Sequence, residues 1–254
     1  MARIKFLNTC IDNVTMQEAL YAVKQLINRG GGAYVVTPNL DHIVTLENNH
    51  EFAEAYANAD LILADGKPLI WISKWLKTPI KEKISGSDFF PHLCEMCAKY
   101  GYSIYILGAA NGVAEKAAEN LRLRFPGLKI AGTYSPPYGF EKDDRELKKI
   151  KKLVVSARPN VLAISLGSPK GEIFIYKHLK EYGVPLGISI GATIDFEAGN
   201  VRRAPKWMSE NGLEWIFRIT QDPKRLAKRY WNDAIRIVPI IIKYSNKVKH
   251  ESIN

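Results

Sequence analysis

Short apolar runs recur along the chain at residues 33–37, 60–64, 103–107, 129–133, 161–166 and 185–190, each bounded by glycine, proline or polar residues. Such runs between breakers read as buried strands. Those at 105–107 and 161–164 carry no polar face, the mark of strands covered on both sides in a parallel sheet. Between the runs the periodicity becomes helical. Thr15 and Glu18 have capping-box spacing just ahead of Ala19, Ala22, Val23 and Leu26, so a helix with one buried face starts there. Further helices are expected over 39–49, 51–58, 67–75 (Pro68 in its first turn), 89–99, 113–125 and 142–157, and one opened by Glu172. Residues 4–7 add an edge strand. Gly30-Gly31-Gly32 precedes a strand instead of following one, so it ends a helix rather than cradling phosphate. The alternation predicts an α/β fold: a Rossmann-like, mostly parallel sheet with helices on both faces.

After Asp195 the pattern changes. Residues 200–205 are basic and broken by Pro205, and 206–220 and 223–238 read as two helices rich in Trp, Arg and Lys. The chain therefore divides into a core over 1–195 and a C-terminal helical appendage over 196–254. The apolar run 237–242 spans about 9 Å as helix, too short to cross a bilayer.

Open α/β sheets hold ligands outside the carboxyl ends of their strands, where helix N-termini and loop amides converge. The strand ends here are Thr37-Pro38-Asn39, Asp65-Gly66, Gly108 to Gly112, Gly167-Ser168-Pro169-Lys170 and Gly191-Ala192-Thr193. Asp65 is the one acid at such an end with glycine directly behind it, which makes it the first candidate for chemistry. The Gly108–Gly112 turn reads equally as a truncated nucleotide loop or a tight strand–helix turn. Neither GxGxxG nor a Walker lysine is present.

Charge adds a partner. The formal net charge is +10, and residues 202–254 hold twelve Lys/Arg against five Asp/Glu, so +7 of it sits in the appendage. An anionic partner follows: nucleic acid, nucleotide phosphate or an acidic membrane surface. With 46% hydrophobic residues the chain is not disordered. Cys10, Cys94 and Cys97 are too few for a disulfide framework and fit a reducing compartment. Cys94 and Cys97 form a CxxC, but inside a helical run with His92 as the lone neighbouring ligand type, so they read as structural. The N-terminus lacks the apolar core of a signal peptide, and a cytoplasmic protein is expected.

The ordered motifs resemble the TagA/WecG/CpsF family of bacterial glycosyltransferases, most of all its TagA branch. The matching residues are Thr37-Pro38-Asn39 with Asp41, Asp60, Ala64-Asp65-Gly66, Ser85-Gly86-Ser87-Asp88, Leu107-Gly108 and Leu166-Gly167-Ser168-Pro169-Lys170. Gly191-Ala192, Asp195-Phe196, Gly199, Arg203-Ala204-Pro205, Gly212 to Trp215, Arg218, Pro223, Arg225 and Arg229-Tyr230 complete the series. The resemblance implies metal-independent, inverting transfer of an N-acetylmannosamine-type sugar from a UDP-sugar to GlcNAc on undecaprenyl diphosphate, an early step of wall teichoic acid synthesis. No cofactor is expected. It also implies diphosphate contacts from tail arginines, and a donor site drawn from Lys83, Gly108, Gly167, Ser168, Lys170 and Gly191. Gly171 stands where the family usually has Gln, and Lys83 where it commonly has Arg, which loses the bidentate fork.

The residues fit this chemistry. An inverting transfer needs one carboxylate to take the acceptor hydroxyl's proton, and Asp65 is the candidate. Thr37 and Asn39 either orient a sugar or cap the following helix. No Asp-x-Asp for a divalent cation is present, so Arg218, Arg225 and Arg229 are expected to neutralise the departing UDP. Basic residues with Trp207, Trp215 and Trp231 suggest peripheral contact with the inner face of the cell membrane, or a homo-oligomer contact. A nicotinamide oxidoreductase would want GxGxxG after the first strand, and a nucleic-acid module is prompted by the basic tail alone; both are rivals, and no nucleic-acid partner is expected.

Overall fold

In the computed structural model, residues 2–251 are described, without the side chains of Lys206, Glu210, Arg225 and residues 246–251. The chain opens with a hairpin, β1 (Arg3–Phe6) and β2 (Thr9–Asp12). It continues through α1 (Met16–Arg29), β3 (Ala33–Val36), α2 (Leu40–Leu46), α3 (His50–Ala57), β4 (Leu61–Ile62), α4 (Lys67–Trp75) and α5 (Gly86–Tyr100). Then come β5 (Ser103–Gly108), α6 (Val113–Arg124), β6 (Lys129–Tyr134), a 3-10 turn (Phe140–Lys142), α7 (Asp144–Ala157), β7 (Val161–Ser165), α8 (Lys170–Tyr182), β8 (Leu186–Ser189) and α9 (Thr193–Glu197). The appendage holds α10 (Lys206–Glu210), α11 (Glu214–Gln221) and α12 (Pro223–Glu251).

Every residue of β3, β7 and β8 is buried, which only a sheet covered on both faces allows. The order is β4-β3-β8-β7-β5-β6 with all pairs parallel. One apolar layer packs α1, α5, α6 and α9 against the sheet; the other packs the hairpin, α2, α3, α7, α8 and α12. The Rossmann-like α/β fold is therefore as the sequence implied. The capping box of Thr15 and Glu18 starts α1.

Several boundaries differ. The edge strand expected at 4–7 is half of a hairpin that pairs with itself and not with the large sheet. Asp12 fastens that hairpin: it accepts from Arg3 Nε (2.9 Å) and from the Ile62 amide of β4 (2.8 Å), while Arg3 donates to the carbonyls of Ala59 and Asp60. The strand expected over 60–64 shortens to Leu61–Ile62. α5 starts at Gly86, not 89, because the Ser85 hydroxyl caps it through the Asp88 amide. α8 starts at Lys170, two residues ahead of Glu172. The appendage has three helices rather than two, and α12 runs past Pro239. Proline removes one helical hydrogen bond, but Ile237 and Ile240 on either side of it are only 7% exposed, and their burial against the core holds the helix together.

Candidate active site

The local pairing of β3 and β4 sets the site. The Leu63 amide bonds the Val36 carbonyl (3.0 Å) and the Asp65 amide the Pro38 carbonyl (2.8 Å), so the chain stays in parallel register until Asp65 emerges beside Pro38 and Asn39. Gly66 then turns the backbone at φ +97°, a conformation that L side chains avoid, and α4 leaves. On the other side the Ile84 amide bonds the Ala64 carbonyl (2.8 Å), which brings Lys83 to the same place.

Above Asp65 lies a cavity of about 290 Å³. The core contributes Asn39, Asp41, Asp65 and Lys83; the appendage contributes Glu214, Trp215, Arg218, Arg229, Tyr230 and Asp233. Of the residues expected at a site, Asp65, Asn39, Lys83, Arg218 and Arg229 thus meet around one cavity. Thr37 is buried one strand away at the end of β3, with Gly86 packed over its hydroxyl. Asn39 is also a helix cap: its Oδ1 accepts from the His42 amide at 3.1 Å. Arg225 lies in α12, but its side chain is outside those described.

Asp65 lines this cavity and is only partly accessible. Burial raises its pKa to about 7, and Glu214 adds to the rise against the pull of Arg218 and Lys83. Arg218 pairs with Glu214 (2.7 Å) and lies 5.5 Å over the Phe196 ring. At the other end of the cavity Asp233 is raised to about 6, by burial first and by facing Asp41 second, with Arg229 opposing. The Arg229 Nε is buried without a partner. His42 behind Asp41 is fully buried, held at about 3 by desolvation, and contacts the Tyr56 hydroxyl at 2.7 Å; it stays neutral.

The other expected residues gather elsewhere along the same sheet edge. β5 connects to β6 on one side and β7 to β8 on the other, so the crevice between the ends of β5 and β7 is the topological switch point. Gly108 sits there at φ +109°, and a Cβ on it would strike the Ser165 carbonyl. Gly167 and Ser168 follow β7, and the Gly191 carbonyl accepts from the Ser165 hydroxyl (2.6 Å). Lys170 pairs with Glu141 (2.5 Å) and lies 4.8 Å over the exposed Tyr138 ring. These residues do not line the Asp65 cavity.

Sequence reasoning gave no site role to Glu214, Asp233, Asp88 or Glu172, although Asp88 and Glu214 stand in the motifs that carry the resemblance and Glu172 opens an expected helix. Glu172 is 3% exposed, is raised to about 7 by burial, and keeps one oxygen unpartnered while the other takes the Ser189 hydroxyl (2.9 Å). An acid in the first turn of a helix read as an ordinary cap. Cys94 and Cys97 are buried in α5 with thiols raised by desolvation, Cys97 to about 12, as suits structural cysteines. Among the described residues no group of three or more His, Cys, Asp or Glu could hold a metal, and no helix is long and apolar enough to cross a membrane.

Residues 4–251 match the model of the glycosyl transferase WecG/TagA/CpsF family. A Bacillus spizizenii protein is 30% identical over 199 residues, which cover 78% of this chain and 75% of the relative. A Bacillus subtilis protein is 29% identical over 81% of this chain and 78% of its own. A Staphylococcus aureus protein is 25% identical over 98% and 94%. All three are named N-acetylglucosaminyldiphosphoundecaprenol N-acetyl-beta-D-mannosaminyltransferase. The family match takes in both the sheet edge that carries Asp65 and the appendage that roofs the cavity, and the chain belongs to the WecG/TagA/CpsF family of glycosyltransferases.

Proposed function

We propose that this glycosyltransferase moves N-acetylmannosamine from UDP-ManNAc to GlcNAc carried on undecaprenyl diphosphate, with inversion, in wall teichoic acid synthesis. Asp65 takes the proton of the acceptor hydroxyl as that oxygen bonds the anomeric carbon from the face opposite UDP. The bond to the diphosphate oxygen breaks, and its electron pair leaves on UDP. A base poised near neutrality suits this step, and the observation that carries the reading is Asp65, raised to about 7, facing Arg218 and Arg229 across one cavity. Lys83, Arg218 and Arg229, with Arg225, neutralise the charge that develops on the leaving group in place of a metal. Thr37 and Asn39 flank the sugar. Gly108, Gly167, Ser168, Lys170 and Gly191 edge the crevice in which the nucleotide lies. The lipid half of the acceptor stays in the membrane, and the exposed apolar face of α12 meets it.

The test is UDP release from UDP-ManNAc and from UDP-GlcNAc with a lipid-diphosphate-GlcNAc acceptor, with and without a chelator. Asp65→Asn is expected to lower kcat about 10³-fold, within the usual range for a general base, and the chelator to leave the rate unchanged. Equal rates for the two proteins would remove Asp65 as base; preference for UDP-GlcNAc would reassign the donor.

A further inference from the structure

Asp88 stands in the first turn of α5, outside the cavity lining, yet it holds two cations that come from different parts of the chain. Its Oδ2 accepts from Lys83 Nζ at 2.8 Å and from the Ser85 hydroxyl at 2.6 Å. Its Oδ1 accepts from the Arg203 guanidinium, which also reaches Ser87. Lys83 lines the cavity and is mostly buried, with 16% of its side chain exposed. Arg203 lies between α9 and α10, in the stretch that leads from the core into the appendage. The next residue back is tied in as well: the Arg202 carbonyl accepts from Gln221 Nε2 at 3.0 Å, at the last residue of the helix that carries Glu214 and Arg218. A continuous path of polar contacts therefore runs from Lys83 through Asp88 and the Arg203 segment to α11.

Asp88 remains ionised throughout the working range. Burial alone would raise it, but the bonds from Lys83, Ser85 and Arg203 overcome burial and hold it at about 2. A carboxylate so held neither gives nor takes protons in a reaction run near neutrality. Its contribution must be geometric and electrostatic. It fixes Lys83 against the cavity wall, it partly offsets the lysine's pull on Asp65, and it keeps the entry to the appendage in one place.

We infer that Asp88 is the positioning residue that joins the core half of the site to the appendage half, setting Lys83 and, through Arg203, the placement of α11 over Asp65. This rests on the transferase reading of the cavity and deepens it. The expected kinetic signature is specific. Removing the Asp88 charge takes a negative neighbour from Asp65 and leaves Lys83 unopposed, so the Asp65 pKa falls. The acidic limb of the kcat profile then moves to lower pH by about half a pH unit, the size expected for one charge nearby but not in contact.

The experiment compares wild type, Asp88→Asn, Arg203→Ala and the double variant in UDP release from the nucleotide sugar with lipid-linked acceptor, across pH. Circular dichroism melts run on each protein. Asp88→Asn is expected to lose about tenfold in kcat/KM and to shift the acidic limb down. Arg203→Ala, at a half-exposed side chain that threatens the fold little, is expected to lose several-fold without moving that limb. Because both act through one contact, the double variant should be scarcely worse than Asp88→Asn alone. Losses that multiply, or an unmoved limb in a folded Asp88→Asn protein, overturn the proposal. Should Asp88→Asn fail to fold, Arg203→Ala with wild-type kinetics overturns it alone. Wild type without turnover points instead to failure of the transferase assignment, so the two are told apart.

Discussion

An ordinary aspartate is too acidic to be an efficient base near neutral pH, and Asp65 escapes that limit by desolvation. The same shift has a cost in stability with a definite sign. A carboxyl whose folded pKa lies above its unfolded value stabilises the fold fully below about 3.8, and that contribution is lost as pH rises through about 7. Asp65→Asn should therefore melt several degrees higher than wild type at about pH 8 while scarcely differing at about pH 4. The wild-type rate should climb with pH through an inflection near 7. Thermal melts and a pH–rate profile read both; a variant that melts lower at alkaline pH contradicts the buried-base picture. Asp65 was legible in the sequence because a strand end followed by glycine leaves its mark within two residues. Asp88 was legible as the last residue of the Ser85-Gly86-Ser87-Asp88 motif, but its task was not, since its partner Arg203 is 115 residues away. Gly171, the departure from the family pattern, gains a local reason: a Cβ there would sit 2.8 Å from the Ser189 hydroxyl, which is engaged with Glu172.

Among the elements, α12 has two apolar faces. Leu226, Ile237 and Ile240 are buried, the two isoleucines against the core, while Trp231, Ile235, Val238 and Ile242, all more than half exposed, fall four, three and four residues apart on the opposite side. A helix needs one apolar stripe to pack; the second has no partner among the described residues. Lying in the headgroup layer would cover it, with Trp231 at the polar boundary. Trp231→Glu with Ile235→Glu should lower binding to anionic vesicles by about tenfold or more, with the melting temperature unchanged because neither side chain is buried. Vesicle co-sedimentation checks this, and undiminished binding would leave the stripe to a contact between copies. The sequence showed the apolar run but not its division between faces, and the helix was expected to end at residue 238. What the helix gains from burying Ile237 and Ile240 belongs to tertiary packing and is invisible to local pattern.

For the molecule as a whole, the charge asymmetry read from the sequence becomes a docking problem. The appendage carries most of the positive charge, yet it rests on a core surface that offers Asp41, Glu47, Asp65 and Asp88. Lys243 pairs with Glu47 (2.8 Å), and α12 packs along α2. One contact there opposes the trend: Asp233 of α12 faces Asp41 of α2, with Arg229 and Arg236 beside them and His42 neutral behind. Asp233 is raised to about 6, so its contribution to docking is complete below about 3.8 and fades as pH rises through about 6. Protection of the α12 amides, taken relative to their intrinsic exchange rate at each pH, should accordingly fall between about pH 5 and pH 7, and Asp233→Asn should flatten that fall. Protection that falls equally in the variant would place the titrating group elsewhere. The parallel sheet and the C-terminal helices were readable from alternation and composition, whereas which face of those helices meets the core depended on contacts between residues some 190 positions apart.

The hairpin staple has a consequence for assembly. An open sheet invites a second chain to add a strand at its rim, the first step of runaway polymerisation. Here the rim strand β4 is two residues long, and the Ile62 amide is already spent on Asp12. At the opposite rim, β6 slips register against β5 near Tyr105. The short, occupied border at β4 thus discourages strand addition by a second copy beside the strand end that bears Asp65.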